Sequence, residues 1–207
     1  MNFSPTAPTS RLVLGAGFII TIILLSLSLP ADETRKLIAE TNHSTVQFSV
    51  PISEGLTRIT GKFNDFSIDV NLVDNDITKS RISAVIKVNS INTGMAGRDE
   101  DLKSKDFFDT QKFPEITFVS DRIEKKGNDF VAHGLFQMHG VEKMISLPFR
   151  ITGQKGEDVI GFSSRYTLKR SEFGVGTEWK HTLDDKFIGD EIGVEIDFWT
   201  RRLKTTK

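Results

Sequence analysis

Two arginines carry the most specific chemistry in this sequence. Arg98 stands beside Asp99 in GRDEDLKSK, and Arg170 opens RSEFG. A guanidinium presents a planar fork of donors that matches a phosphate or carboxylate. Arg98 and Asp99 read first as an ion pair at a helix start; the other reading is that Arg98 holds an anionic head group. Arg170 is a second head-group candidate. The four histidines, His43, His133, His139 and His181, lie far apart and show no zinc-type ligand spacing. His43, beside Ser44, anchors a first strand in this reading. His139 precedes Gly140 in a hairpin turn, where a histidine is structural or touches a ligand. Asp184-Asp185 near His181 reads as a solvated turn. No G-x-S-x-G, phosphate loop or dinucleotide fingerprint is present, so no catalytic residue is assigned. A site assembled from distant residues by the fold stays open on sequence grounds.

The other chemistry-bearing group is aromatic. The chain has 16 Phe against one Tyr and two Trp. Phe brings apolar area without a polar handle, which suits a greasy core or a greasy cavity. Phe107, Phe108 and Phe113 crowd into KSKDFFDTQKFPEITF, a segment dense in charge and turn residues. A regular strand sends Phe107 and Phe108 to opposite faces. We read these three as an aromatic lip over a pore, with Phe173 a further ligand-binding candidate at its mouth. The competing reading is that they cap a core.

These residues need elements to position them. Alternation recurs through the chain: Val46 to Ile52, Phe66 to Leu72, Ile82 to Val88, Ile116 to Phe118, Phe130 to Met138 with an interruption at Gly134, Ile145 to Ile151, Phe162 to Leu168 and Ile192 to Phe198. Period two predicts half-buried strands with one wet face. Turn signals at Asp74-Asn75-Asp76, Gly127-Asn128-Asp129 and Gly153 to Asp158 separate them. About eight strands joined by short turns make an antiparallel meander. Closing it removes two exposed edges and leaves room for one small ligand. The single helix candidate, Arg98 to Lys105, is short and charged. It leads into Phe107-Phe108, near the barrel's mouth.

Composition narrows the class further. The 207 residues suit one domain of ordinary size after a leader. Net charge is -1, so no basic field argues for nucleic acid. No cysteine is present, which removes disulfides, thiol catalysis and cysteine-ligated metals. No metal or cofactor is expected. At the N-terminus, Arg11 precedes an uncharged run from Leu12 to Leu29, followed by Pro30, Ala31, Asp32 and Glu33. A basic start, an apolar middle and a small-residue exit describe an export signal, residues 1–31, with cleavage after Ala31 or after Ser28. The run is also long enough to be a retained anchor, with residues 12–29 in an inner membrane. Either way residues 32–207 form the domain, periplasmic or secreted.

Several blocks together carry a family resemblance: HSTVQFSV (43–50), GKFNDFSIDV (61–70), SINTGMAGRDEDLKSKDFFDTQKFPEITFVS (90–120), GLFQMHGVEKMISLPF (134–149), LKRSEFGVG (168–176) and IGDEIGVEIDF (188–198). The chain resembles the YceI-like family of secreted, lipocalin-like proteins. The resemblance covers essentially all of residues 32–207. It implies a single extended antiparallel eight-stranded barrel with an apolar pore. It also implies a long-chain amphiphile as partner: a polyprenyl phosphate, an isoprenoid quinone or a fatty-acid derivative. Where family members often carry a basic residue and a histidine, this chain has Pro51 and Ile52. Two other functions compete with a carrier: an enzyme or redox partner of a bound quinone, and a stress-linked interaction module with a filled core.

Overall fold

The computed structural model describes Met1, residues 32–182 and residues 186–203. The expected leader, Leu12 to Leu29, and the expected turn at Asp184-Asp185 lie outside the described residues. Everything below concerns the unit from Asp32 onward.

Eleven strands make one antiparallel sheet that closes on itself: β1 (Thr34–Ala39), β2 (Thr45–Ile52), β3 (Thr57–Phe63), β4 (Phe66–Val73), β5 (Asp76–Lys87), β6 (Ile91–Asn92), β7 (Glu115–Lys126), β8 (Asp129–Met138), β9 (Val141–Lys155), β10 (Val159–Lys169) and β11 (Glu191–Arg202). Several of these are halves of one stave. β1 and β2 are separated by a single turn, Thr41–His43, and both run along β11, with Ile38 opposite Arg201 and Val46 opposite Ile196. β3 and β4 are split only by Asn64 and Asp65; β3 pairs with β2 and β4 with β1. β6 continues β5 beyond the turn Val88–Ser90 and pairs with β3. Eight staves remain, each hydrogen-bonded to its sequence neighbours, and β11 returns to β1 and β2. The expected eight-stranded barrel is the fold; towards the rim, residues 141–148 of β9 and 165–169 of β10 are not paired with each other.

The two ends of the barrel differ. At one end the staves are joined by tight turns. Asp74 and Asn75 both have positive φ, 51° and 58°, in the two-residue hairpin geometry that suits strand twist. Above these turns the barrel is packed solid: Leu37 and Val70 are 0% exposed, and Leu72, Ile123 and Ile160 are buried with them. Thr200 and Ser120 are buried there too, each with its hydroxyl satisfied. Thr200 Oγ1 accepts from the Ile160 N–H at 3.1 Å, and Ser120 Oγ from the Ile82 N–H at 2.8 Å. Arg35, its side chain 3% exposed, closes this floor against Glu157 at 2.5 Å, with Asp158 and Asn75 beside it.

The break at Gly134 in the alternation of β8 has a local cause. β7 carries a bulge between Ser120 and Arg122. A Cβ at Gly134 would sit 2.2 Å from the Val119 carbonyl oxygen, so only glycine lets the bulged strand approach.

At the other end lie the long connections. The first contains α1 (Ala96–Lys103), a helix with no buried residue. The second runs from Arg170 to Asp190 through a short turn, Arg170–Phe173. These two segments form the rim.

Candidate functional site

Between the packed floor and the rim the barrel is hollow. A cavity of about 660 Å³ opens at the rim and is walled by inward side chains of every stave. Its lower boundary is aromatic. The Phe162 and Phe198 rings stack with centroids 4.8 Å apart, and Phe149 sits 6.0 Å from Phe162. The wall above is mostly Val, Ile and Leu, with Phe48, Phe118, Phe136 and Tyr166 among them. At inward strand positions the polar lining residues are Ser164 and Tyr166, and Ser164 donates to the Pro148 carbonyl at 2.6 Å.

The rim is built by α1 and by the Arg170–Asp190 connection. Two turns after α1 wind the chain back toward the barrel: the Phe107 N–H donates to Ser104 O and the Phe108 N–H to Leu102 O, both at 3.1 Å. That winding puts both phenylalanines of the adjacent pair on the cavity side, which a strand would not do. Phe107 is buried and packs on Trp179 at 5.7 Å; Phe108 is half-buried and meets the edge of Phe63 at 6.4 Å. Pro114 leads into β7, and its carbonyl accepts from the Val88 N–H at 2.9 Å.

Arg98 also lines the cavity, half-buried. Its Nε donates to Thr93 Oγ1 at 2.8 Å and its Nη2 to Thr93 O at 2.9 Å. Asp99 does not pair with it. Instead Asp99 accepts from the Thr93 N–H at 2.8 Å and from its hydroxyl at 2.5 Å. The expected ion pair at the helix start is therefore two separate grips on Thr93. The Arg98 fork is left with Nη1 unengaged by any described residue.

Arg170 lines the cavity as well, but its donors are largely taken. Nε reaches Gly189 O, Nη1 reaches Val175 O and Gly176 O, and Nη2 reaches Ile188 O, all within 3.2 Å. It stitches both halves of the second connection together. Burial pulls its pKa below the ordinary arginine value, while the charge of Asp190 works the other way. Burial works to raise the Asp190 carboxyl, but hydrogen bonds from the Ser171 N–H and hydroxyl, with Arg170 nearby, hold it below its ordinary value.

Phe113, His139 and Phe173 stand apart from the cavity lining. They form a second cluster around the β8–β9 hairpin. Phe113 meets His139 edge-on at 4.7 Å, and His139 Nδ1 lies 2.9 Å from the Phe173 carbonyl. Phe173 is 2% exposed and packs edge-on against Phe136 at 5.3 Å. His139 has φ 52° and Gly140 φ 76°, the two-residue turn read from the sequence. Of the residues expected at a lip, Phe107 and Phe108 line the cavity and Phe113 and Phe173 do not, and other aromatic residues that the sequence reading passed over line it beside them. Trp179, His181 and Phe187 of the second connection complete the aromatic rim, with His181 and Phe187 stacked at 4.1 Å. Aromatic residues in a turn-rich, charged segment were the signal used for 103–118, and residues 178–188 carry the same one.

The outer wall also brings together residues that the sequence separates. Ser146 Oγ lies 2.9 Å from His133 Nδ1, and His133 Nε2 lies 3.1 Å from Glu124 Oε2. The three are polar cross-strand neighbours on the outer, wet face of β7, β8 and β9.

Fold and cavity together define a lipocalin-like barrel with an apolar, ligand-sized interior. Comparison with known proteins refines this. Residues 38–199 match the family described as YceI-like domain, and the chain belongs to that family. A UPF0312 protein of Yersinia pestis (strain Pestoides F) is 30% identical over 148 residues, which is 69% of this chain and 76% of that protein. Among solved structures, Burkholderia cenocepacia BcnA superposes with a TM-score of 0.70 at 24% identity, over 78% of this chain and 98% of BcnA. The Campylobacter jejuni YceI protein gives 0.62 at 28% identity, over 72% and 88%. A polyisoprenoid binding domain from Saccharophagus degradans, implicated in plant cell wall breakdown, gives 0.64 at 16% identity, over 81% and 98%.

Proposed function

We propose that this protein binds, stores or carries one long-chain amphiphile outside the cytoplasm. The observation that carries the reading is the hollow upper barrel. A fold with a solid floor has kept about 660 Å³ of apolar space open at one end. Leaving such space unfilled costs packing that the same Phe, Ile and Leu residues readily supply elsewhere in the barrel. An inert interaction module would have no use for it. A cargo would. The polyisoprenoid binding domain of S. degradans, alike in fold, supports a prenyl chain as the cargo class.

The cavity also suggests a size. At ~30 Å³ per non-hydrogen atom, 660 Å³ holds on the order of 20 atoms, about four isoprene units. Each buried methylene contributes about 0.8 kcal/mol. The gross gain for such a chain, about 16 kcal/mol, reaches the top of the roughly 4–15 kcal/mol cost of immobilising a partner. Affinity then rises with each added unit until the cavity is full. A longer chain would bend or protrude past the rim.

Head-group recognition falls to Arg98, the rim cation that keeps a donor nitrogen unengaged by described residues. A phosphate, carboxylate or carbonyl oxygen suits it. The export signal read at residues 1–31 supports a carrier in the periplasm or beyond.

The test is a length series of prenols with two to nine isoprene units, measured by competition against a fluorescent fatty acid. Affinity should climb steeply to about four units and then level off. A flat, weak response at all lengths contradicts the carrier reading.

A further inference from the structure

Tyr166 is the chain's single tyrosine, and the sequence reading gave it no task beyond its place in a strand. It sits on β10, close to the mouth end of that strand at Lys169. Its partner across the sheet is Val194 of β11, and Val194 in turn faces Phe48 of β2. All three line the cavity. The ring therefore stands in an apolar row just below the rim.

A tyrosine hydroxyl in an apolar wall ordinarily finds a hydrogen-bond partner. The Tyr166 hydroxyl has none among the described residues, and it is not a fully buried atom. The neighbouring polar groups are accounted for. Ser164, one inward position deeper, is bonded to Pro148 O, and Arg170 above is bonded to four carbonyls. If the position served packing alone, phenylalanine, which this chain uses 16 times, would fill it without a group to satisfy.

We infer that the Tyr166 hydroxyl is a specificity contact: it donates a hydrogen bond to an oxygen near the head end of the cargo. The ligand class is then an oxygenated prenyl lipid, with a carbonyl, ether or hydroxyl oxygen just below the rim, rather than a bare hydrocarbon. A phenol hydroxyl carries one O–H donor. It therefore reads an acceptor oxygen without requiring a charge, and Arg98, also in the cavity lining, offers a second donor. This assignment rests on the carrier reading and narrows it.

Two probes of matched tail separate the two claims: phytane, a branched C20 hydrocarbon, and menaquinone-4, a quinone with a tail of the same carbon count. The wild-type protein should bind both and prefer the quinone. Tyr166→Phe, which keeps the ring, should leave phytane affinity unchanged and cut the preference about three- to tenfold, the worth of one neutral hydrogen bond. With 3-fluorotyrosine incorporated, the protein gives one ¹⁹F resonance, which should shift with menaquinone-4 and much less with phytane. A preference unchanged in Tyr166→Phe, or equal ¹⁹F shifts for both probes, overturns the assignment and leaves the carrier reading standing. Failure of the wild type to bind either probe overturns both.

Discussion

Removing the two rim phenylalanines one at a time separates a lip from a core. Phe107 is 7% exposed, rests against Trp179, and lies so close to Gly176 that a Cβ there would fall 2.7 Å from its ring. A fully packed Phe→Ala change costs roughly 3–5 kcal/mol. One face of Phe107 looks into the cavity, so fewer atoms are packed on it, and Phe107→Ala should cost about 3 kcal/mol. Phe108 is half-buried with one edge contact, and its loss should cost about 1–2 kcal/mol. Binding is affected differently. Each ring offers a cargo roughly 50 Å² of apolar contact, worth about 1.2 kcal/mol at 25 cal/mol per Å². That is a loss of about sevenfold in affinity for either variant. The assay pairs thermal unfolding of delipidated protein with titration of a labelled prenyl lipid at a temperature where each variant is folded. Equal affinity losses with unequal stability losses would bear out the lip. If both variants unfold early and the folded fraction binds as the wild type does, the rings are core only.

Other perturbations reach other parts of the barrel. Arg35→Ala opens the floor: Asp158 Oδ1, buried and already without a hydrogen bond, loses its cation. Because Glu157 is largely exposed, the cost should be about 2–3 kcal/mol, below that of a fully buried pair, with ligand affinity unchanged. Asp190 has a depressed folded-state pKa, so its contribution is complete above the unfolded carboxylate value of about 3.9 and fades as pH falls through the folded value. Melting temperature should hold down to about pH 4 and drop below it, and Asp190→Asn should lose stability at pH 7 while reducing the acid-induced drop. Protein taken from its native envelope should begin near Asp32 by N-terminal sequencing; intact Met1 in the membrane fraction would favour an anchor, and recovery in the cytosol would contradict export.

Much of the barrel was legible because alternation is a strong signal. Val46 to Ile52 and Ile192 to Phe198 read as strands and pair with each other in the sheet. β1 and β3 escaped because their patterns are impure: β1 buries Arg35, and β3 carries Thr, Arg and Gly where a run of apolar residues would have marked it. The helix was placed two residues late, since its first turn begins at Ala96 with no capping side chain from Met95. The rim was only half legible. Density of Phe in a charged segment located Phe107 and Phe108, yet Phe113 obeys a different partner, the His139-Gly140 turn, that lies far away in sequence. Arg98 and Arg170 look alike in a sequence. Only the carbonyls gathered around Arg170 and the single threonine under Arg98 distinguish a stitch from a free fork. Tyr166 went unassigned because nothing in a strand pattern tells whether a hydroxyl has a partner.

The most direct test of the account is the content of the cavity. Protein purified from its native source without detergent would be weighed by native mass spectrometry, then extracted with organic solvent and the extract analysed. The account predicts a one-to-one complex with a prenyl-type lipid that carries oxygen at one end, with about four isoprene units accommodated inside the barrel. Protein that carries no lipid, and that takes up neither prenol nor prenylquinone when these are supplied, would contradict it.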